Sequence, residues 1–87
     1  MTDPYIIDID QTNINDVLQK SMQTPVLLNF YSAMNEPSNL LAPILVTIAD
    51  DYQGKFILAR VDSDAMPEIA QQLGVRAIPA LKLVVKG

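Results

Sequence analysis

The 87-residue sequence contains no cysteine and no histidine. Without cysteine, these residues form no disulfide, supply no thiolate nucleophile and bind no metal through sulfur. Without histidine, they also lack the side chain that most often acts as a base near neutral pH and as a metal ligand. The two absences exclude much of enzyme chemistry, and we expect neither a cofactor nor a metal site.

Basic residues are also few. Six Lys and Arg residues stand against ten Asp and Glu residues, which gives a formal net charge of −4. The six are scattered along the chain and would not neutralise a row of phosphates, so nucleic-acid binding is disfavoured. The amino terminus has no basic segment and no long apolar run, so it indicates neither a signal peptide nor a membrane span. We therefore expect a cytoplasmic protein without a membrane partner.

Length and composition predict that residues 1–87 form a single domain. The chain is 49% hydrophobic and 18% charged, which is typical of a globular protein and not of a disordered one. Domains commonly contain roughly 100–150 residues, so this length leaves no room for a second one. The sequence also shows no internal repeat, low-complexity tract or linker.

Hydrophobic periodicity predicts strands and helices in alternation. Four strands are predicted at Tyr5–Ile9, Pro25–Tyr31, Phe56–Asp62 and Ala80–Val85, and three helices at Asn13–Met22, Pro37–Tyr52 and Met66–Gly74. The second and third strands are nearly continuous apolar runs, which favours central positions in a sheet, whereas the last strand reads as an edge. The order β-α-β-α-β-α-β predicts an α/β fold in three layers, with parallel pairing for at least the first three strands.

The segment YSAMNEPSNLLAPIL, from Tyr31 to Leu45, joins a strand end to a helix start. Such a position suits a reactive pair of groups, yet the segment has no cysteine, histidine or glycine. The helix that follows carries an apolar stripe at spacings of three and four residues, made of Leu40, Leu41, Ile44, Leu45, Ile48 and Ala49. Pro43 lies inside this helix, where we expect it to remove one backbone hydrogen bond and bend the helix.

Four motifs together resemble the thioredoxin family: VLLNFYS, NEPS with Pro43 further along the helix, FILARVDSD, and GVRAIPALKLVVKG. In the usual members the helix opens with Cys-Gly-Pro-Cys, a proline kinks it, and a cis-proline segment faces the cysteines. The match covers essentially all 87 residues. The resemblance implies a thioredoxin-like fold, whose final strand and helix would follow Gly87.

The resemblance places Asn35 and Ser38 at the positions of the two cysteines, with Glu36 and Pro37 between them. Thiol–disulfide exchange requires a thiolate that attacks a sulfur, and neither an amide nor an unactivated hydroxyl replaces it. We therefore expect that the chain is not an enzyme. An alternative is that Ser38 acts as a nucleophile, with Glu36 or a lysine as its base. The interpretation that we favour is structural: Asn35 caps the helix, Pro37 lies in the first turn and Ser38 satisfies a backbone N–H.

The resemblance also assigns family positions outside this tetrapeptide. By resemblance, Asn29 stands at the position of the buried acid, Arg60 at that of its partner lysine, and Met34 at that of the tryptophan before the first cysteine. Ile78-Pro79 matches the cis-proline bond, and we expect a cis peptide there. An amide at position 29 avoids much of the desolvation cost of a buried acid, and the loss of the thiols removes the need for that acid.

A contact surface for a peptide or partner is predicted at Met34, Pro37, Ala77, Ile78 and Pro79. These residues either pack an ordinary turn or form a shallow apolar patch for an extended chain, and the sequence does not decide between the two.

Two acidic pairs, Asp8 with Asp10 and Asp62 with Asp64, do not match the spacing of a Ca²⁺ loop. We interpret them as loop and solubility groups.

Within the family, the segments SMQTPVL, YQGKFILA and QQLGVRAIPAL look most like the amino-terminal domain of the chaperedoxins, the CnoX or YbbN proteins. That resemblance implies a redox-inactive holdase domain that binds unfolded or extended clients and works with the GroEL-type chaperonin. It also predicts that the chain is the amino-terminal part of a longer protein. Alternatives are a structural subunit of another assembly and an enzyme with Ser or Glu chemistry. The edge at Ala80–Val85 could also pair with another molecule.

Overall fold

The computed structural model describes residues 5–86, which form four strands and three helices in the predicted order. The elements are β1 (Ile6–Asp8), α1 (Ile14–Lys20), β2 (Val26–Tyr31), α2 (Glu36–Tyr52), β3 (Ile57–Asp62), α3 (Pro67–Gln72) and β4 (Ala80–Val84). The predicted α/β class is confirmed. The final strand and helix that the resemblance implies after Gly87 lie outside the described residues.

The sheet has the strand order β1-β3-β2-β4. Strand β3 pairs in parallel with both β1 and β2, and β4 pairs antiparallel with β2. The crossover helices explain this arrangement, because parallel neighbours need a long connection. The predicted central positions of β2 and β3 and the edge position of β4 are therefore confirmed.

The two faces of the sheet bury separate apolar cores. On one face, Leu28 and Phe30 of β2 pack in a core that includes Val17 of α1 and Ile69 of α3. On the opposite face, α2 places its buried side chains against Leu58 of β3. The alternation of side chains along the strands divides the residues between these cores, which gives the three predicted layers.

Within residues 5–86, five apolar side chains of α2 and β4 are left exposed, and we call them the α2–β4 face: Leu40, Ile44, Ile48, Leu81 and Leu83. Leu83 pairs in register with Leu27, which packs against the α2 core, so Leu83 lies on the same side of the sheet as α2. It is nevertheless 65% exposed. Helix α2 covers β3 through Leu58 and does not cover β4, and its own apolar stripe is only partly buried. The predicted helix is confirmed, but Leu40, Ile44 and Ile48 of its apolar stripe are exposed.

The residue types at the start of α1 predict a cap at Thr12 or Asn13, but the structure uses Asp10. The carboxylate of Asp10 accepts hydrogen bonds from the backbone N–H groups of Thr12 (2.8 Å) and Asn13 (2.9 Å), and from the Thr12 hydroxyl. Asn13 occupies the N-cap position, but its side chain caps no N–H of the helix. Helix α1 also ends at Lys20, so Met22, the last residue of the predicted helix, lies beyond it and is 60% exposed.

These hydrogen bonds, the one from the Thr12 side chain above all, lower the pKa of Asp10 below its ordinary value of 3.8. The resulting stabilisation is present above about pH 3.8 and is lost as the pH falls through the lower, folded-state pKa. We expect Thr12→Val to raise the pKa of Asp10, measured by NMR titration of its carboxyl carbon. Thr47→Val is the matched control, because the Thr47 hydroxyl bonds to the Pro43 carbonyl instead. An unchanged pKa in the Thr12 variant would contradict the assignment.

The turn after α2 requires a glycine. Gln53 and Gly54 have φ angles of +42° and +86°, and Gly54 lies against the ring of Tyr5. A Cβ atom at Gly54 would stand 2.5 Å from Cε1 of that ring, too close for any side chain. The glycine therefore allows the chain to reverse into β3 while the segment before β1 packs against it.

Candidate binding site at the start of helix α2

The loop between β2 and α2 is held by hydrogen bonds from its own polar side chains. The Ser32 hydroxyl accepts a bond from the backbone N–H of Met34 (3.2 Å), and the Ser32 carbonyl accepts one from the N–H of Asn35 (3.0 Å). Asn35 has the extended backbone of an N-cap, and its Oδ1 accepts from the N–H of Ser38 at 2.9 Å. With Pro37 in the first turn, the favoured structural interpretation of Asn35 and Pro37 matches this geometry.

Ser38 is poorly placed for nucleophilic chemistry. It is 2% exposed, and its hydroxyl oxygen accepts a hydrogen bond from the backbone N–H of Ser32 at 3.3 Å. A serine nucleophile needs access to substrate and a base that takes its proton. Glu36, the base considered from the sequence, is exposed at the helix start. Ser38 does satisfy a backbone N–H, but it is that of the loop residue Ser32 and not one within the helix.

A hydrogen bond with the turn after β3, which the sequence did not predict, supports this loop. The Ser32 hydroxyl donates a hydrogen bond of 2.6 Å to the carboxylate of Asp64. Asp62 in turn accepts from the backbone N–H groups of Asp64 (3.0 Å) and Ala65 (3.3 Å). This pair is therefore structural, and the interpretation of Asp62 and Asp64 as solubility groups was incomplete. Its sequence signal is the position of both segments just after neighbouring parallel strands, whose carboxyl ends meet at one edge.

Within residues 5–86, no group of three or more Asp, Glu, His or Cys side chains is placed to hold a metal ion. Asp8 has another interaction, since its carboxylate lies 3.8 Å from the guanidinium of Arg60. The Asp8 side chain is largely exposed, so this ion pair contributes little to stability.

Asn29 lies in the interior beside Arg60, its register partner on β3. Asn29 is 1% exposed, and within residues 5–86 neither its Oδ1 nor the Nε of Arg60 has a hydrogen-bond partner. The Arg60 guanidinium instead stacks on the ring of Tyr31, 4.9 Å from its centroid. Burial raises the pKa of Tyr31, and the positive charge of Arg60 opposes that rise. The position that the resemblance assigns to a buried acid therefore holds a neutral side chain in the interior.

The predicted cis peptide between Ile78 and Pro79 is confirmed. Ala80, the next residue, pairs with Phe30 of β2, so this bond lies at the same end of the sheet as the β2–α2 loop. Ile78 packs partly against the core shared with α1, while Ala77 is exposed. The structure thus brings the two halves of the predicted contact surface to one end of the sheet.

Exposure divides the five predicted contact residues. Met34 is 90% exposed, and Pro37 and Ala77 are also exposed. Ile78 and Pro79 are half-buried and have a packing role as well. We call the five residues the loop patch: Met34, Pro37, Ala77, Ile78 and Pro79. Its exposed members are apolar, and Met34 lies on the β2–α2 loop, whose backbone is held by hydrogen bonds, so the patch can offer a shallow apolar surface.

Removal of the Asn35 cap should destabilise the domain. We expect Asn35→Ala to lower the free energy of unfolding by about 1 kcal/mol, because the N–H of Ser38 loses its partner. Asn15→Ala is the matched control, since Asn15 is an exposed asparagine inside α1, where alanine favours the helix. Urea unfolding followed by circular dichroism measures both. Equal stability of the two variants would contradict the capping role.

Comparisons with known proteins agree with this geometry. A family model described as Thioredoxin matches residues 5–87. The thioredoxin of Chlorobaculum thiosulfatiphilum is 42% identical over 62 residues, which cover 71% of this chain and 56% of that protein. Thioredoxin 1 of a Nostoc species is 36% identical over 78 residues, which cover 90% of this chain and 70% of that protein. The chain therefore spans only part of the length of these relatives.

Solved structures show the same fold. The crystal structure of the short form of thioredoxin f from spinach chloroplast superposes with a TM-score of 0.85. The match covers 94% of this chain and 73% of that one, at 19% sequence identity. An identity this low supports the fold and not a shared activity.

Proposed function

This chain belongs to the thioredoxin family, and we propose that it is a protein-binding domain of a chaperone or co-chaperone that carries out no thiol chemistry. The observation that carries the proposal is the hydrogen bonding of two side chains in the β2–α2 loop. Asn35 and Ser38, which stand at the positions of the family's two cysteines, both hold the loop through hydrogen bonds. We therefore infer that these polar side chains stabilise the loop and take no part in disulfide exchange.

The proposed binding surface is the loop patch. Met34, Pro37 and Ala77 expose apolar side chains at the same end of the sheet as the cis Ile78-Pro79 bond. An extended segment of a client can lie across such a surface and bury apolar side chains against it. Unfolded proteins expose segments of this kind, which makes them the proposed partners.

The chaperone assignment is supported by the resemblance of three sequence segments to the chaperedoxins. By that resemblance we propose that the domain holds unfolded clients in the cytoplasm and cooperates with the GroEL-type chaperonin. Within residues 5–86, no helix is both long and apolar enough to cross a membrane. The proposal predicts that the domain binds clients with no cysteine, because no mixed disulfide is involved.

An aggregation assay tests the proposal. A chemically unfolded, cysteine-free client is diluted into buffer with and without the 87-residue protein, and light scattering is followed. We expect the protein to suppress scattering, and Met34→Glu to weaken client binding roughly tenfold by placing a charge in the loop patch. Met22→Glu is the matched control, because Met22 is also exposed but lies beyond the end of α1.

Two results would contradict the proposal. The first is full aggregation of the client at a several-fold excess of the folded protein. The second is equal loss of binding in the Met34 and Met22 variants, which would show that no specific surface is used. Size-exclusion chromatography with purified GroEL-type chaperonin tests the second partner, and co-elution that Met34→Glu leaves intact would place that contact elsewhere.

A second candidate function, a structural subunit of another assembly, is favoured by the α2–β4 face. Its five exposed aliphatic side chains lie on α2 and on the edge strand β4, where a partner or a second copy could cover them. Sedimentation equilibrium distinguishes this candidate. A dimer that Leu83→Lys dissociates supports self-association through β4, and a monomer at all concentrations argues against it.

The third alternative, an enzyme that uses Ser38 or Glu36, is disfavoured by the geometry. Ser38 is buried and its hydroxyl oxygen is engaged by the loop backbone. This alternative would be supported if the unmodified chain turned over a disulfide substrate and the Ser38→Ala variant did not.

A further inference from the structure

Met34 carries the most exposed thioether among residues 5–86. Its side chain is 90% exposed, Met22 is 60% exposed, and Met66 is half-buried against the core shared with α1 and α3. Methionine provides all the sulfur of the 87 residues, because the sequence has no cysteine. An oxidant that reacts first with sulfur therefore meets a thioether and no thiol.

The backbone around Met34 is fixed, so a change of its side chain stays local. The N–H of Met34 donates to the Ser32 hydroxyl, which is itself bonded to Asp64. On the other side, the Asn39 side chain donates a hydrogen bond of 3.1 Å to the carbonyl of Ala33. None of these bonds involves the sulfur. The domain can therefore carry a modified Met34 without loss of its fold.

We infer that Met34 is a site of reversible oxidation by peroxides, and that its sulfoxide weakens the binding of apolar segments to the loop patch. In the reaction, the sulfur lone pair attacks one peroxide oxygen, an S–O bond forms and the O–O bond breaks. The sulfur loses two electrons, and the second oxygen of the peroxide leaves as water after proton transfer. Methionine sulfoxide reductase restores the thioether with two electrons from a dithiol, which becomes a disulfide, and the sulfoxide oxygen leaves as water.

The consequence for binding follows from polarity. The thioether is apolar and flexible, which suits contact with varied apolar side chains. The sulfoxide is polar and prefers water, so its burial under a client is unfavourable. This inference rests on the proposed function, since it names a regulation of the same patch.

The test measures oxidation and binding separately. The 87-residue protein is treated with dilute hydrogen peroxide, and peptide mapping by mass spectrometry follows the oxidation of each methionine. Binding of a fluorescently labelled, methionine-free peptide rich in valine and leucine is then measured by anisotropy. We expect Met34 to oxidise before Met22 and well before Met66, with roughly tenfold weaker peptide binding afterwards.

The variants separate the possible causes. Met34→Leu is expected to bind the peptide and to keep that affinity after peroxide, Met34→Gln to bind weakly from the start, and Met22→Leu to behave as the unchanged protein. Binding that peroxide leaves unchanged, or a Met34→Leu variant that is equally sensitive, overturns the inference alone. No binding by the untreated protein overturns the proposed function and this inference together.

Discussion

Two thiols introduced by Asn35→Cys and Ser38→Cys are expected to give the domain disulfide reductase activity above that of the unmodified chain. Residue 35 lies at the N-cap of α2, where the helix N-terminus lowers the pKa of a thiol and favours the thiolate. Residue 38 lies one turn further and is buried, which suits a second thiol that resolves a mixed disulfide. Insulin reduction with dithiothreitol as the electron source measures the gain, which we expect to exceed the background by about tenfold or more.

A dithiol elsewhere provides the matched control. Asn13→Cys with Asp16→Cys has the same spacing at the start of α1, a helix of only seven residues. We expect little activity from it, because that site has a short helix and follows β1, which lies at the opposite edge of the sheet from β4 and the cis Ile78-Pro79 bond. Each single variant at Asn35 or Ser38 should also be weak. A double variant that folds but has no activity would contradict the prediction. It would show that the loop differs from a redox-active site in more than the two thiols.

A Leu28→Ala variant is expected to lose about 2–5 kcal/mol of the free energy of unfolding, the second large effect. Leu28 is fully buried on the central strand β2, and its removal leaves a cavity among side chains from α1 and α3. A domain of this size has a total stability on the order of 5–10 kcal/mol, so the loss is a large fraction of it. Urea unfolding monitored by circular dichroism measures the change.

Leu83→Ala on the neighbouring strand is the control of the same residue type. Leu83 lies on the α2–β4 face and is exposed, so its truncation should change the free energy of unfolding by about 0.5 kcal/mol or less. A loss comparable to that of Leu28→Ala would mean that Leu83 is covered in solution. That outcome would favour the structural-subunit candidate, and sedimentation of the same sample would identify a second copy as the cover.

Hydrophobic periodicity and helix-capping preferences were sufficient to predict the order of the strands and helices and the N-cap of α2. Helix α2 begins within one residue of its predicted start, because Asn35 and Pro37 are strong signals for a helix N-terminus. At α1 the same rules failed, since Asp10, Thr12 and Asn13 are all cap-forming residues and only the fold shows that the Asp10 carboxylate receives the N–H groups.

The features that could not be predicted from local sequence depend on contacts between residues far apart in the chain. Periodicity identifies the apolar stripe of α2, but it cannot show that no described element covers Leu40 and Ile44. The bond between Ser32 and Asp64 joins residues 32 positions apart, so no local pattern reveals it. The cis bond before Pro79 was predicted from the family resemblance and not from local sequence, because X–Pro bonds are mostly trans.

The neutral side chain of Asn29 also affects how the domain responds to protons. The buried polar residues of the described chain are Ser21, Asn29, Ser32 and Ser38, and none of them titrates. Proton linkage makes stability depend on pH only where the folded and unfolded states bind different numbers of protons. With no acid in the interior, that difference is small between about pH 5 and pH 9. An acid buried at this position would instead add a proton equilibrium to the folding equilibrium, so the neutral Asn29 leaves the free energy of unfolding less dependent on pH.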